Sequence, residues 1–174
     1  MLCLLIAATA AAAVELPKAP DGFAWHEVPA IRAAFLVPKG WHFREERDGK
    51  TLALYITQDA FTPPEKFEVG VSINVFRQDP AAGARVKRML EKLASAHTVE
   101  LHRGSSGGPF TTLACQFESP REGKEPVRTH VMGIANAETD TVYLVFFESP
   151  ASQWNATWEK GKTILGKLAL ETGV

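Results

Sequence analysis

The chain has 174 residues, 45% of them hydrophobic and 22% charged, with a formal net charge of -1. These are globular proportions, and they exclude the disordered, collagen-like and coiled-coil classes. So balanced a charge exerts no global pull toward nucleic acid or anionic lipid, and the length fits one domain whose core needs neither metal nor disulfide.

Residues Met1 to Val14 read MLCLLIAATAAAAV and carry no charge. The run is too short to cross a bilayer, which takes about 20 residues. An apolar stretch followed by small residues is the pattern of an export signal. Cleavage after Ala13 then leaves a mature chain beginning at Val14, although no Lys or Arg precedes Leu4. The expected layout is a signal over 1–13, a short extended tail over 14–24 and a single domain over 25–174. The expected location is periplasmic, with no transmembrane segment after cleavage. Cys3 falls in the signal, so Cys115 is left without an intrachain partner. It alternates with Leu113 and Phe117 and reads as a buried apolar residue rather than a reactive thiol.

Ile31, Ala33, Phe35 and Val37 alternate and predict a strand, broken by Pro38 and Gly40. Trp41–Glu46 and Thr51–Thr57 predict two more, joined by Asp48-Gly49, a strong two-residue hairpin signal. Val69, Val71, Ile73 and Val75 form another alternating run. Asp79 as N-cap and Pro80 as first residue predict a helix over 80–97, with Val86, Met89, Leu90, Leu93 and His97 on one face. Strands are predicted at Val99–His102, Thr111–Phe117, Arg128–Ala135 and Thr141–Phe147. The last is apolar on both faces and so reads as central. Ser149-Pro150 opens a helix over 150–168, whose Trp154 and Trp158 read as core anchors. Hairpin-length links between strands predict an α+β layout, a mainly antiparallel sheet with helices packed against it.

Residues that could carry chemistry are sparse. Gly104-Ser105-Ser106-Gly107-Gly108 matches G-x-S-x-G, but a strand follows where a nucleophile elbow needs a helix. His26, His42, His97, His102 and His130 form no H-x-x-x-H pair, so zinc-type spacing is absent. His130 reads as a half-buried imidazole. Glu45, Glu46 and Asp48 with Arg44, Arg47 and Lys50 read as a solvated hairpin tip. The Glu118–Glu125 stretch reads as a polar loop. No catalytic residue, metal ligand set or cofactor is expected.

Phe35-Leu36-Val37-Pro38-Lys39-Gly40-Trp41 resembles the F-x-x-P-x-G-W segment near the start of PsbP-like domains, where a proline ends one strand and a tryptophan begins the next. The charged hairpin, the Val69–Val75 strand, the mid-chain helix and the Trp158–Leu168 helix extend the resemblance over about Trp25 to Leu170. It implies an α/β/α sandwich around a mainly antiparallel β-sheet. The family includes a photosynthetic extrinsic subunit, a nuclear import factor and many exported bacterial proteins. Its members act mostly by binding or assembly, and a fold so widely shared does not fix function.

The resulting expectation is an exported, non-enzymatic binding or assembly accessory protein of the cell envelope, partnered by another envelope protein and not by nucleic acid. A small-ligand or metal-binding carrier is the alternative, with an enzyme less expected because no nucleophile, base and orienter set is visible. An Asp48-Gly49 turn places Trp41 opposite Ile56, Phe43 opposite Leu54, His42 opposite Tyr55 and Arg44 opposite Ala53. Alternation then sends His42, Arg44, Glu46 and Tyr55 to one side, the candidate binding surface.

Overall fold

The computed structural model describes residues 15–48, 51–62, 66–96, 100–103 and 108–170. Every strand pairing among them is antiparallel, which with two helices makes an α+β fold. The expected signal over 1–13, the His97 end of the first helix and the Gly104–Gly107 stretch lie outside the described residues. The described residues divide into two units, 15–39 with 163–170, and those within Gly40–Lys162.

In the first unit, β1 (Phe23–Val28) pairs with β2 (Ala33–Pro38) through a short 3-10 turn at Pro29–Ile31. Arg32 leaves that turn in the left-handed region at φ 51° and donates its N–H to the Pro29 carbonyl. The sequence did not announce β1: in FAWHEV the burial alternates over Phe23 to His26 only, a run too short to read as a strand by itself. Ile31 belongs to the turn and not to the strand predicted to contain it. Ala33 to Leu36 are all buried. Ala34 and Ala169 exchange backbone hydrogen bonds of 2.8 and 3.1 Å, which ties the C-terminal segment to β2.

The second unit is built on seven strands in the order β3-β4-β5-β9-β8-β7-β6. They are β3 (His42–Asp48), β4 (Thr51–Thr57), β5 (Gly70–Phe76), β6 (Glu100–Arg103), β7 (Phe110–Arg121), β8 (Lys124–Asn136) and β9 (Thr141–Pro150). Strand β9 is central, and Thr141 to Val145 are all buried, as a run apolar on both faces requires. Helix α1 (Ala82–Ala96) connects β5 to β6 at the far edge, so it has to cross β9, β8 and β7. Its entry is capped as predicted: the Asp79 carboxylate accepts the Ala81 N–H at 3.1 Å and pairs with Arg85.

Ala82, Val86 and Leu90 of α1 form one buried cluster with Cys115, Val131, Val142 and Leu144. Gly133 of β8 makes the close approach possible, since a Cβ there would lie 2.6 Å from Val86 Cγ1. Residues of β9 with the other parity meet α2 (Trp154–Leu165) instead. The Phe147 ring lies 5.4 Å from both Trp154 and Trp158, which stack on each other at 4.9 Å. The two tryptophans are thus packing residues, Trp154 fully buried and Trp158 half-buried.

Several boundaries differ from expectation: α1 starts at Ala82 rather than 80, and α2 ends at Leu165 rather than 168. The final helix starts at Trp154 rather than 150, because β9 runs on to Pro150 opposite Val127 and a 3-10 turn at Ala151–Gln153 follows. Glu118–Glu125 is not a loop but the end of the β7–β8 hairpin, with Arg121 opposite Lys124. Gly123, at φ 64°, takes the left-handed position that a tight turn needs, and the pairing shifts beside Pro120, which has no N–H to donate. A further difference, in the β3–β4 register, bears on the site.

Candidate functional site

In the β3–β4 hairpin, Asp48 pairs with Thr51, Glu46 with Ala53, Arg44 with Tyr55, Phe43 with Ile56 and His42 with Thr57. The sequence reading, with Arg44 opposite Ala53 and His42 opposite Tyr55, was slipped by two residues. Asp48 belongs to the strand, and the two-residue link is Gly49-Lys50, which lies outside the described residues. A slip of two leaves every side chain on its original face, because the pleat repeats every two residues. Arg44, Glu46 and Tyr55 therefore still share a face, and Arg44 is now directly beside Tyr55.

That face is the one α1 covers farther along the sheet, on β9, β8 and β7. Arg44 Nε donates to Glu46 Oε1 at 2.7 Å, with the two side chains 41% and 32% exposed. At such exposure the pair contributes at most about 1 kcal/mol. Tyr55 is half-buried under the segment that links β4 to β5: its ring lies 5.2 Å from Phe61 and 6.3 Å from Phe67, both edge-on. The Arg44 guanidinium lies 5.8 Å from the Phe61 ring centre, and Arg44 Nη1 reaches the Phe61 carbonyl at 3.4 Å. Burial, with the Glu46 charge nearby, holds the Tyr55 hydroxyl protonated above its usual range, against the pull of Arg44. His42 is exposed, in the row of Thr57 rather than of Tyr55. The structure thus joins Arg44, Glu46 and Tyr55 into one polar-aromatic patch. Phe61 and Phe67 complete it, and nothing in their local sequence announced that.

One further group was missed. Glu148, in β9 between Gly70 and Thr129, is half-buried. Burial raises its carboxyl pKa, outweighing Arg121, Lys66 and a hydrogen bond with Thr129, all of which lower it. Arg121 and Lys66 line a polar recess of about 640 Å³ together with Glu68, Glu122 and Lys124. A raised folded-state pKa means that the native state holds the proton more tightly than the unfolded chain. The associated stability is full below the ordinary Glu value of about 4.3 and is lost as pH rises through the higher folded value. Glu148→Gln is accordingly expected to raise the thermal midpoint at about pH 7, by an amount that shrinks as the pH falls toward about 4. Midpoints of the two proteins measured across that range check this, and a Gln variant that is less stable at neutral pH contradicts it.

The other candidates resolve simply. Cys115 is free and fully buried, and burial pushes its thiol pKa up, the reverse of an activated nucleophile. The His130 ring packs 4.9 Å from Trp158. Arg47 pairs with Glu45 at 2.8 Å on the opposite face of β3 from Arg44. Trp41 directly precedes β3, with Lys160 Nζ 5.4 Å from its ring centre. Among the described residues no three His, Cys, Asp or Glu are grouped to hold a metal ion, and no helix is long and apolar enough to cross a membrane.

No protein-family model and no curated protein matches the chain. Solved structures are similar at low identity. One is a protein from Bacteroides thetaiotaomicron VPI-5482, with a TM-score of 0.49 and 13% identity over 80% of this chain and 45% of its own. This chain therefore spans less than half of that protein. The Saccharomyces cerevisiae Ran-binding protein Mog1p is similar with a TM-score of 0.49 and 15% identity, over 85% of this chain and 95% of its own. A Pseudomonas aeruginosa protein of unknown function has a TM-score of 0.37 and 13% identity, over 81% of this chain and 94% of its own. At these TM-scores none of the likenesses carries a functional argument.

Proposed function

We propose that this chain is an exported, non-enzymatic binding or assembly accessory protein of the cell envelope, a PsbP-like α/β/α sandwich that meets another envelope protein through the β3–β4 face. One observation carries the reading. Arg44, Glu46, Tyr55 and Phe61 form a partly open patch of mixed charge and aromatic surface on β3 and β4, at the other end of the sheet from the strands α1 packs on, β7, β8 and β9. Aromatic and arginine side chains together are the composition that protein contacts favour. The sandwich is supported by the parity of β9, whose Val142 and Leu144 pack with α1 while Phe147 packs with α2. The family resemblance is supported by Pro38 closing β2 and Trp41 immediately preceding β3.

The test is cross-linking in intact envelopes, comparing the natural chain with a His42→Ala, Arg44→Ala, Tyr55→Ala triple variant. The natural chain is expected to be recovered with its N-terminus at Val14 and cross-linked to a defined partner. The triple variant should lose that product, with its thermal midpoint lowered by only a few degrees. Undiminished cross-linking by the variant would remove the patch from the function. An intact Met1 on cytoplasmic protein would remove export.

A further inference from the structure

Helix α1 touches the sheet along Ala82, Val86 and Leu90, and beside that line the two surfaces separate. The space between them is a pocket of about 370 Å³, walled by α1 on one side and by β7, β8 and β9 on the other. That volume falls at the small end of the range for pockets that hold single small molecules, about 300–1,000 Å³.

The pocket is opened by a set of small residues in register. Gly83 of α1 faces Ala135 of β8 and Val142 of β9. A Cβ at Gly83 would lie 3.9 Å from the Ala135 Cβ and 4.0 Å from Val142 Cγ2, which is ordinary contact distance. Packing therefore does not demand glycine there, in contrast to Gly133, where it does. Glycine inside a helix is less stable than alanine. At Gly83 that cost leaves open a space that a side chain would otherwise occupy.

The walls also select by charge. Apart from Lys87, Thr111 and Thr112, the described lining residues are apolar or glycine. Among the described residues, Lys87 is the single ionisable one of the lining, and no carboxylate belongs to it. The Lys87 ammonium lies 3.9 Å from Glu91, with side chains 70% and 57% exposed. So exposed a helix pair is weak and readily exchanged for another anion. Water has few polar partners in such a space, whereas an apolar group would gain by filling it.

We propose that this pocket is a binding site for a free, single-chain amphiphilic anion of the fatty-acid type. The apolar body lies between α1 and the sheet, and the carboxylate meets Lys87 at the rim. This site is separate from the Arg44–Tyr55 patch and holds or fails independently of it.

The test uses the mature chain, with anilinonaphthalenesulfonate as a fluorescent apolar anion and decanoate as competitor. The natural protein is expected to bind the probe and to release it to decanoate. Gly83→Leu, which fills the pocket, should weaken decanoate at least about tenfold. Gly83→Ala, which the helix accepts more readily, should weaken it less while raising the thermal midpoint. This milder variant keeps the test decisive if Gly83→Leu folds poorly. Lys87→Glu should weaken decanoate by about fivefold and leave neutral decanol unaffected. Absence of probe binding, or decanoate binding unchanged in both Gly83 variants, overturns the site. Equal loss of decanoate and decanol in Lys87→Glu overturns the anionic assignment.

Discussion

Phe147→Ala is expected to remove about 3–5 kcal/mol of stability. The Phe147 ring is fully buried in the central strand, with Trp154 edge-on at 5.4 Å and Trp158 tilted at 5.4 Å. On its remaining side α2 approaches so closely that a Cβ on Gly161 would lie 2.8 Å from the ring. Removing the ring takes contacts from three residues at once. The two tryptophans, stacked on each other at 4.9 Å, cannot both move in to refill the space. Against a total of about 5–15 kcal/mol this is a large share, and at about 2–4 °C per kcal/mol it lowers the melting temperature by about 6–20 °C. Urea denaturation measures it as a fall in midpoint with an unchanged slope. Phe146→Ala is the internal comparison, since Phe146 is half-buried on the opposite face of the same strand. If the two variants cost the same, the wedge between β9 and α2 is not what holds that face.

Gly133→Val is expected to cost about 1–3 kcal/mol, and to do so by pushing α1 off the sheet. The added Cβ would lie 2.6 Å from Val86 Cγ1 and 3.0 Å from Leu90 Cδ1. Leu90 can rotate part of the way clear, but Val86 is β-branched and stiff at χ1. The helix backbone therefore has to yield. The result should be a lower melting temperature together with faster amide exchange in α1 and little change in α2. A double-mutant cycle isolates the cause. Val86→Ala alone is destabilising because it removes a buried side chain. Combined with Gly133→Val it makes room, so the double variant should be less damaged than the two single losses added together. Simple additivity would show that the clash is not responsible.

Both variants bear on how the sheet is assembled. The chain leaves β5, crosses the sheet as α1 to the edge strand β6, and returns through β7 and β8 until β9 closes against β5. The central strand is therefore the last in the chain, and its partners on one side lie about seventy residues earlier (Ser72 opposite Phe146). Nothing local in the Thr141–Phe147 run names those partners.

Local features were readable because local physics produces them. Strand β4 falls on the residues its alternation predicts, and β5 is shifted from its predicted run by a single residue. Helix α1 follows from a 3.6-residue stripe behind an Asp cap. The doubly apolar Thr141–Phe147 run predicted a central strand. The shared face of Arg44, Glu46 and Tyr55 also survives, because a two-residue error in register preserves parity. The register itself depends on where the turn residues sit, and one glycine beside an aspartate admits both alternatives. The rest was decided by tertiary structure, because contacts between distant residues leave no periodic trace. Phe61 and Phe67 fold over Tyr55, and Glu148 is buried near Arg121 and Lys66 only once β9 lies between β5 and β8. Gly133 carried a faint signal, since an isolated glycine in an alternating strand marks a close approach. What approaches it, and the opening that Gly83 leaves beside that contact, exist only when α1 is laid across the sheet.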